Sequence, residues 1–355
     1  MTLSTEPNLR FLRACRCQPV DCTPVWFMRQ AGRYMSEYRA LRAHHSLLEM
    51  CQTPELAAEV TLQPVNALGV DAAILFADIL LPLIPMGIQL EYAAGEGPVI
   101  HNPVRSAADV QALRAFDPRE GLSYVMAALG LVRRELAGKV PLIGFAGAPF
   151  TLASYLIEGG SSRNYLRTKQ MMYADPAAWH ALMERLAEMT ADYLSAQVEA
   201  GAQAVQLFDS WVGALGPEDY REYVMPYSRR IFQALSKTGV PAIHFAAGAG
   251  HLLALMHAAG GDVIGLDWRT PIDQARPVVG ERTALQGNLD PAALFAPLPE
   301  LERRVRAILQ QAGGQPGHIF NVGHGILPET PVENVRAVVQ MVHEWSAVPA
   351  AEGGR

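Results

Sequence analysis

The chain reads as an α/β protein, a single (β/α)8 TIM barrel with added loops and helices. Two patterns predict this. Eight short runs are almost continuously apolar, as strands covered on both faces by helices must be. Between them lie longer stretches with helical spacing that open on a recurring start signal. The runs are 25–29, 73–78, 141–146, 204–209, 241–246, 263–267, 284–287 and 319–323. A doubly wound open sheet is the alternative, but no Gly-x-Gly-x-x-Gly follows the early runs. The domain is expected to span 9–347, with frayed ends at 1–8 and 348–355.

The helix starts pair a capping residue with proline at the first helical position. Thr53-Pro54, Asp175-Pro176, Asp290-Pro291 and Thr330-Pro331 show it, with Gly216-Pro217 a weaker version. Thr330 and Glu333 also have capping-box spacing. The segment 81–139 is expected to hold added helices and loops, and the glycine pairs Gly95/Gly97 and Gly159/Gly160 to mark mobile loops.

The 355 residues are 50 % hydrophobic and 18 % charged, enough for a large buried core. A net charge of −6 gives no global attraction for nucleic acid or anionic membrane. An anionic ligand must therefore be held by a local cationic cluster. The four cysteines, Cys15, Cys17, Cys22 and Cys51, crowd near the start and are read as free thiols of a reducing compartment. A zinc site from Cys15, Cys17 and Cys22 lacks the usual paired spacing. The most apolar stretch, 72–88, contains Asp78, Pro82 and Pro85 and would not span a bilayer. With no basic region and apolar core at the N-terminus, the expectation is a cytoplasmic protein.

The cationic cluster is found where the first run ends. Arg29 and Arg33 flank Gly32, with Arg39 and Arg42 close behind. Guanidinium groups stay charged and grip carboxylates in a two-pronged geometry. The alternative is a surface turn whose arginines pair with Glu37 and Glu49.

In a barrel of this kind chemistry gathers where strands end. Those positions hold Arg29, Asp78, Gly147, Asp209-Ser210, Ala247-Gly248, Asp267, Asn288 and His324. Asp78 leaves a greasy run and either caps a loop or serves the mouth of the barrel. The small residues of 144–151 would let a large flat ligand approach, and Tyr155 could reach back from the next helix or simply pack. Ser210 has no Gly-x-Ser-x-Gly context and suits hydrogen bonding better than nucleophilic attack. His324, between two glycines, is either exposed to the site or satisfied in the core.

Arg29-Gln30-Ala31-Gly32-Arg33, Phe76-Ala77-Asp78-Ile79-Leu80, 144–160, Gly287-Asn288-Leu289-Asp290-Pro291 and Asn321-Val322-Gly323-His324-Gly325-Ile326 together resemble the uroporphyrinogen decarboxylase family. The resemblance runs nearly the whole chain in the family's order. It implies a homodimer that converts the four acetate side chains of uroporphyrinogen III to methyls, giving coproporphyrinogen III and CO2. It also implies that neither metal nor organic cofactor is used. Carried over residue by residue, the substrate contacts fall on Arg29, Gln30, Ala31, Gly32, Arg33, Arg42, Asp78, Tyr155, Ser210 and His324, with Asp78 and Arg29 catalytic.

Those residue types suit the chemistry. A protonated pyrrole is itself an electron sink for the departing CO2, which accounts for the lack of a cofactor motif. Arginines hold the acidic fringe, and a carboxylate inside the ring accepts pyrrole N–H groups and offsets developing positive charge. Arg29, a water or substrate carboxyl that it orients, or His324 could supply the proton. Two rivals compete. A zinc methyltransferase on a related barrel would need His-x-Cys at a strand end, where this chain has Ile243-His244-Phe245-Ala246. A non-catalytic tetrapyrrole carrier would need the arginines but not Asp78.

Overall fold

The computed structural model of the chain describes residues 9–93 and 97–348. Residues 1–8 and 349–355, where fraying is expected, and Gly95 lie outside the described residues. Val348 is tied down, its amide donating to the Asp21 carbonyl at 2.7 Å.

The strands among the described residues are β1 (Ala73–Ile74), β2 (Leu90–Ala93), β3 (Gly97–Ile100), β4 (Leu142–Gly147), β5 (Ala204–Phe208), β6 (Ala242–Phe245), β7 (Val263–Gly265), β8 (Ala284–Gln286) and β9 (His318–Ile319). Seven of them form one parallel sheet in the order β1-β4-β5-β6-β7-β8-β9. Helices return the chain between neighbours, as parallel pairing demands. The 24-residue helix Pro176–Glu199 is the longest of them and covers β4 and β5.

The eighth wall of the barrel is not a strand. Residues 24–26 close the ring through the Phe320 amide on the Pro24 carbonyl (2.9 Å), the Trp26 amide on the Phe320 carbonyl (3.3 Å) and the Asp71 amide on the Val25 carbonyl (2.7 Å). Asp71 locks the same segment from the side, its carboxylate accepting the Val25 amide at 2.8 Å, Arg10 at 2.6 Å and His343 at 2.7 Å. The expected strand 25–29 thus shrinks to a bridge at Val25. The backbone leaves the sheet because the Met28 amide is taken by the Asn321 side chain at 3.0 Å and Gln30 turns back onto Phe27. Arg29 completes the bend with a left-handed φ of 59°.

The other strands begin close to expectation and mostly end sooner. β1 stops at Ile74 because the Phe76 amide donates to Thr61 Oγ1 at 2.8 Å instead of to a ladder. β9 is His318–Ile319, and the rest of the predicted run keeps only isolated bridges, Phe320 to Val25 and Val322 to Leu289. The antiparallel hairpin β2–β3 was not expected within 81–139, and Gly97 belongs to it. Gly159 and Gly160, expected in a mobile loop, instead hold this hairpin through the Ile100 amide and a bridge to Val99.

The helix-start signals vary in outcome. Asp175 caps its helix through the Ala178 amide (3.1 Å), and Asp290 caps a 3-10 turn through Ala292 (2.9 Å). Thr53 makes no cap bond, and the Thr330 hydroxyl is buried without a partner, so no capping box forms there. The box occurs at Ser46 and Glu49.

Inside the barrel a polar chain crosses the lumen. Trp26 Nε1 donates to Gln286 Oε1 at 2.9 Å, and Gln286 Nε2 donates to Gln206 Oε1 at 3.0 Å. On the mouth side Phe145, Phe208 and Phe245 pack edge to face, with centroids 5.5 and 5.9 Å apart. The small residues of β4 serve the protein's own packing rather than a ligand. A Cβ on Gly144 would meet Gln197 Oε1 at 2.4 Å, and one on Gly147 would meet Leu152 at 2.7 Å. Gln197 uses that room to bond both the amide and the carbonyl of Phe145 at 2.8 Å.

The cysteines are free, and burial pushes the Cys22 thiol up to about 12. Among the described residues no helix is long and apolar enough to cross a membrane, and no group of His, Cys, Asp and Glu gathers to hold a metal.

Candidate active site

A cleft opens at the end of the barrel where the strands finish. Its lining brings together Arg29, Gln30, Ala31, Gly32, Arg33, Asp78, Ser210 and His324 over the Phe145, Phe208 and Phe245 floor. Residues far apart in sequence meet because the ends of β1, β5 and β9 and the bridging segment 24–26 all lead into this cleft, as parallel barrels arrange.

Arg29 is placed by the bend just described. Its side chain lies across Gly325, where a Cβ would sit 2.3 Å from Arg29 Cδ and 2.9 Å from Nε. The glycine at 325 is therefore required by the arginine. Glu37 and Glu49, the acids a surface turn would offer, are used elsewhere. Glu49 pairs with His45 and closes the capping box, and Glu37 accepts from Ser36.

Gln30 lines the wall, yet its side chain is fully buried and spent on structure. It donates to the Ala72 carbonyl at 3.0 Å and accepts the Phe27 amide at 3.1 Å, while Tyr34 donates to its carbonyl at 2.6 Å. The Gln30 side chain is thus held by the protein's own backbone where it meets the cleft. Arg42 also stands apart from the lining. It ends the helix Ser36–Arg42 and turns its guanidinium to the His45 carbonyl, the ordinary use of a cation at a helix C-terminus. Tyr38, beside it, lines the cleft and packs edge to face on Phe76 at 5.7 Å.

Asp78 is half-buried on the cleft wall with Oδ1 accepting the Leu80 amide at 2.8 Å. Burial pushes its carboxyl above the usual range, and the Tyr92 phenol, the Leu80 amide and the Arg29 guanidinium oppose that. His324 is held below its ordinary value by burial and by Arg29, against a weaker pull from Asp267. The imidazole is neutral at pH 7 and can donate or accept a hydrogen bond.

Tyr155, on the helix Pro149–Glu158, is set back from the lining and stacks on Trp211 with centroids 4.0 Å apart. Burial, with Asp78 nearby, pushes its phenol up to about 12, so it stays protonated as a donor. Ser210 reaches the cleft, but its neighbour Asp209 does not. Asp209 is fully buried, accepts Thr151 Oγ1 at 3.1 Å, and is pushed up to about 7 by burial.

The remaining strand-end groups build walls. Asp267 accepts the Gly248 amide and Arg269, and Asn288 donates to the carbonyls of Asp267 (2.9 Å) and Thr270 (2.7 Å). Sequence reasoning missed Tyr38 and the phenylalanine floor. The phenylalanines carried a signal, since each lies near the end of an apolar run.

The arrangement brings two arginines, Arg29 and Arg33, one carboxylate on the wall, the hydrogen-bonding groups of Ser210 and His324, and an apolar floor into one cleft. That suits a flat ligand with acidic edges and N–H groups in the middle. His244, where the zinc reading would put a ligand, is buried against Phe232 with ring centroids 4.9 Å apart.

Comparison with known proteins agrees in extent. Among solved structures, a methyltransferase from Methanosarcina mazei superposes with a TM-score of 0.77 at 21 % identity, over 96 % of this chain and 100 % of that one. At that identity the likeness shows the barrel fold alone. The uroporphyrinogen decarboxylase of Sorangium cellulosum is 64 % identical over 334 residues, 94 % of this chain and 95 % of that one. The one from Carboxydothermus hydrogenoformans is 61 % identical over 341 residues, 96 % of this chain and 97 % of its own. The family model for uroporphyrinogen decarboxylase (URO-D) matches residues 6–345, and the chain belongs to that family.

Proposed function

We propose that this cleft removes the four acetate carboxyls of uroporphyrinogen III, yielding coproporphyrinogen III and CO2 in the cytoplasm, with the chain acting as a homodimer. The observation that supports the reading is that one carboxylate, Asp78, lines the same cleft as Arg29, Arg33 and His324, over an aromatic floor.

The chemistry follows from those groups. A proton added to an electron-rich pyrrole carbon makes the ring cationic. The C–CO2 bond then breaks, its electron pair flows into that ring, and CO2 leaves. A second proton on the new exocyclic carbon gives the methyl, and loss of the first restores the pyrrole. Asp78 accepts pyrrole N–H groups and becomes more strongly bound as the ring gains charge. That interaction is larger in the transition state than in the ground state and so accelerates the step. Arg29 and Arg33 hold side-chain carboxylates, and Ser210 and His324 provide neutral hydrogen bonds that leave the net charge of the site unchanged. Arg29, fixed across Gly325, orients either the reacting acetate or the water that delivers the proton.

Anaerobic incubation with uroporphyrinogen III, scored by CO2 release and by the appearance of coproporphyrinogen, tests the proposal. Stoichiometric release of four CO2 per substrate is expected. Tight binding without CO2 would establish the carrier reading instead.

A further inference from the structure

One side chain outside the cleft lining governs where Arg29 stands. Asn321 is fully buried just beyond β9, and the mechanism above does not use it. Its Oδ1 accepts two amides, that of Met28 at 3.0 Å and that of Val322 at 2.8 Å. Two N–H donors aimed at one atom identify that atom as the oxygen. The Nδ2 end is buried with no hydrogen-bond partner, and an unpaired buried donor is costly to fold around. The use of this side chain lies in its oxygen.

That oxygen joins two strips of backbone that both enter the cleft. One carries Arg29, directly after Met28, and the other carries His324, two residues after Val322. The Met28 carbonyl is taken by the second strip as well, through the Ile326 amide at 2.9 Å. Both backbone polar groups of Met28 are thus fixed by the segment 321–326. Asn321 is itself braced. Its carbonyl accepts the Leu289 amide at 3.0 Å, and Phe320 before it bonds Pro24 and Trp26. Arg29 follows Met28 with a φ of 59°, a conformation that a residue other than glycine keeps only when its surroundings impose it. From there its side chain lies across Gly325, in the same segment.

We propose that Asn321 is a positioning residue for Arg29: its side-chain oxygen clamps the Met28 amide and so sets where the guanidinium meets a carboxylate of the bound ring. The inference rests on the decarboxylase reading of the site. Without that oxygen the Met28 amide loses its acceptor, and the bend relaxes toward the extended path that the apolar run 25–29 favours. The guanidinium then shifts relative to His324 and the aromatic floor.

The test uses Asn321→Ser and Asn321→Asp, each alone, and Asn321→Ser also combined with Arg29→Ala. Serine is too short to reach the Met28 amide and leaves room for a water, so the chain can fold without the clamp. Aspartate keeps the shape and an acceptor oxygen. Steady-state decarboxylation of anaerobic uroporphyrinogen III and thermal melting are measured for every variant. Asn321→Ser should lower kcat/KM by about 10²-fold, while Asn321→Asp stays within about tenfold of the parent. With Arg29→Ala already present, Asn321→Ser should cost less than about fivefold more, because no guanidinium remains to misplace. An equal loss of about 10²-fold in both backgrounds overturns the inference whatever the melts show, since a merely structural asparagine gives that result. A kcat/KM within about threefold of the parent for Asn321→Ser overturns it too. If the serine variant does not fold, the aspartate variant decides. Retained activity supports the clamp, and a loss of about 10²-fold with a parental melt overturns it. Failure of the parent chain to release CO2 refutes the decarboxylase reading instead. The same comparison is then read on the Kd of uroporphyrinogen, where independent losses from the two sites overturn the clamp and a shared loss supports it.

Discussion

Replacing Gly325 with alanine should separate catalysis from folding. The added Cβ would lie 2.3 Å from Arg29 Cδ, 2.7 Å from Cγ and 2.9 Å from Nε. Ordinary carbon contacts begin near 3.5 Å, so the arginine must retreat by about 1 Å. All three near atoms belong to one long flexible side chain, and the backbone need not shift. The stability cost is therefore about 1 kcal/mol or less, a change of no more than about 2 °C in Tm. The catalytic cost is much greater. A misplacement of about 1 Å in a group that orients the reacting atoms costs about 10²-fold. The assay is steady-state decarboxylation of anaerobic uroporphyrinogen III, with thermal melting of the same preparations. Expected are a kcat/KM lower by about 10²-fold and a nearly unchanged melt. A kcat/KM within about threefold of the parent would refute the assignment of Arg29. A large fall in Tm would show that the methyl strains the backbone instead.

Arg29→Lys should lose kcat/KM by at least about tenfold, because an ammonium keeps the charge but not the two-pronged grip, and equal values would argue against that grip. Asp209→Asn should change the pH dependence of stability. Its folded carboxyl is pushed up to about 7 from an ordinary 3.8. Below about pH 4 both folded and unfolded chains hold the proton and the penalty is absent. Between there and 7 only the unfolded chain releases it, so stability declines as pH rises and levels off above 7. The full penalty is about 4 kcal/mol, and the variant should melt about 5–6 °C higher than the parent at pH 8 and alike at pH 4. Identical melts at pH 8 would show Asp209 to be ionised without cost.

The parallel barrel was legible because buried strands need apolar residues on both faces, and that requirement marks runs such as 204–209 and 241–246. What pattern could not show was how hydrogen bonds are divided. The run 25–29 looks like a strand, but Asn321 and Gln30 take its amides and turn it into a bend. β1 is cut short by the Thr61 hydroxyl in the same way. The site was legible where a polar residue ended an apolar run, as at Asp78, Ser210 and His324. The same rule also picks out Asp209, Asp267 and Asn288, whose side chains bond neighbouring segments of the protein and are not in the cleft lining. Gln30 and Arg42 were placed by resemblance, and their local bonds now occupy them. The hairpin β2–β3 escaped notice because it lies in a segment read as helices and loops.

The account stands on one carboxylate of the cleft wall stabilising a ring that becomes positive. Asp78→Asn keeps the shape and the Oδ1 acceptor for Leu80 while removing the charge. Single-turnover decarboxylation of uroporphyrinogen III by this variant is the most direct measurement. The account predicts a first-order rate lower by about 10²-fold or more, with binding and Tm little changed. A rate close to the parent's would contradict it.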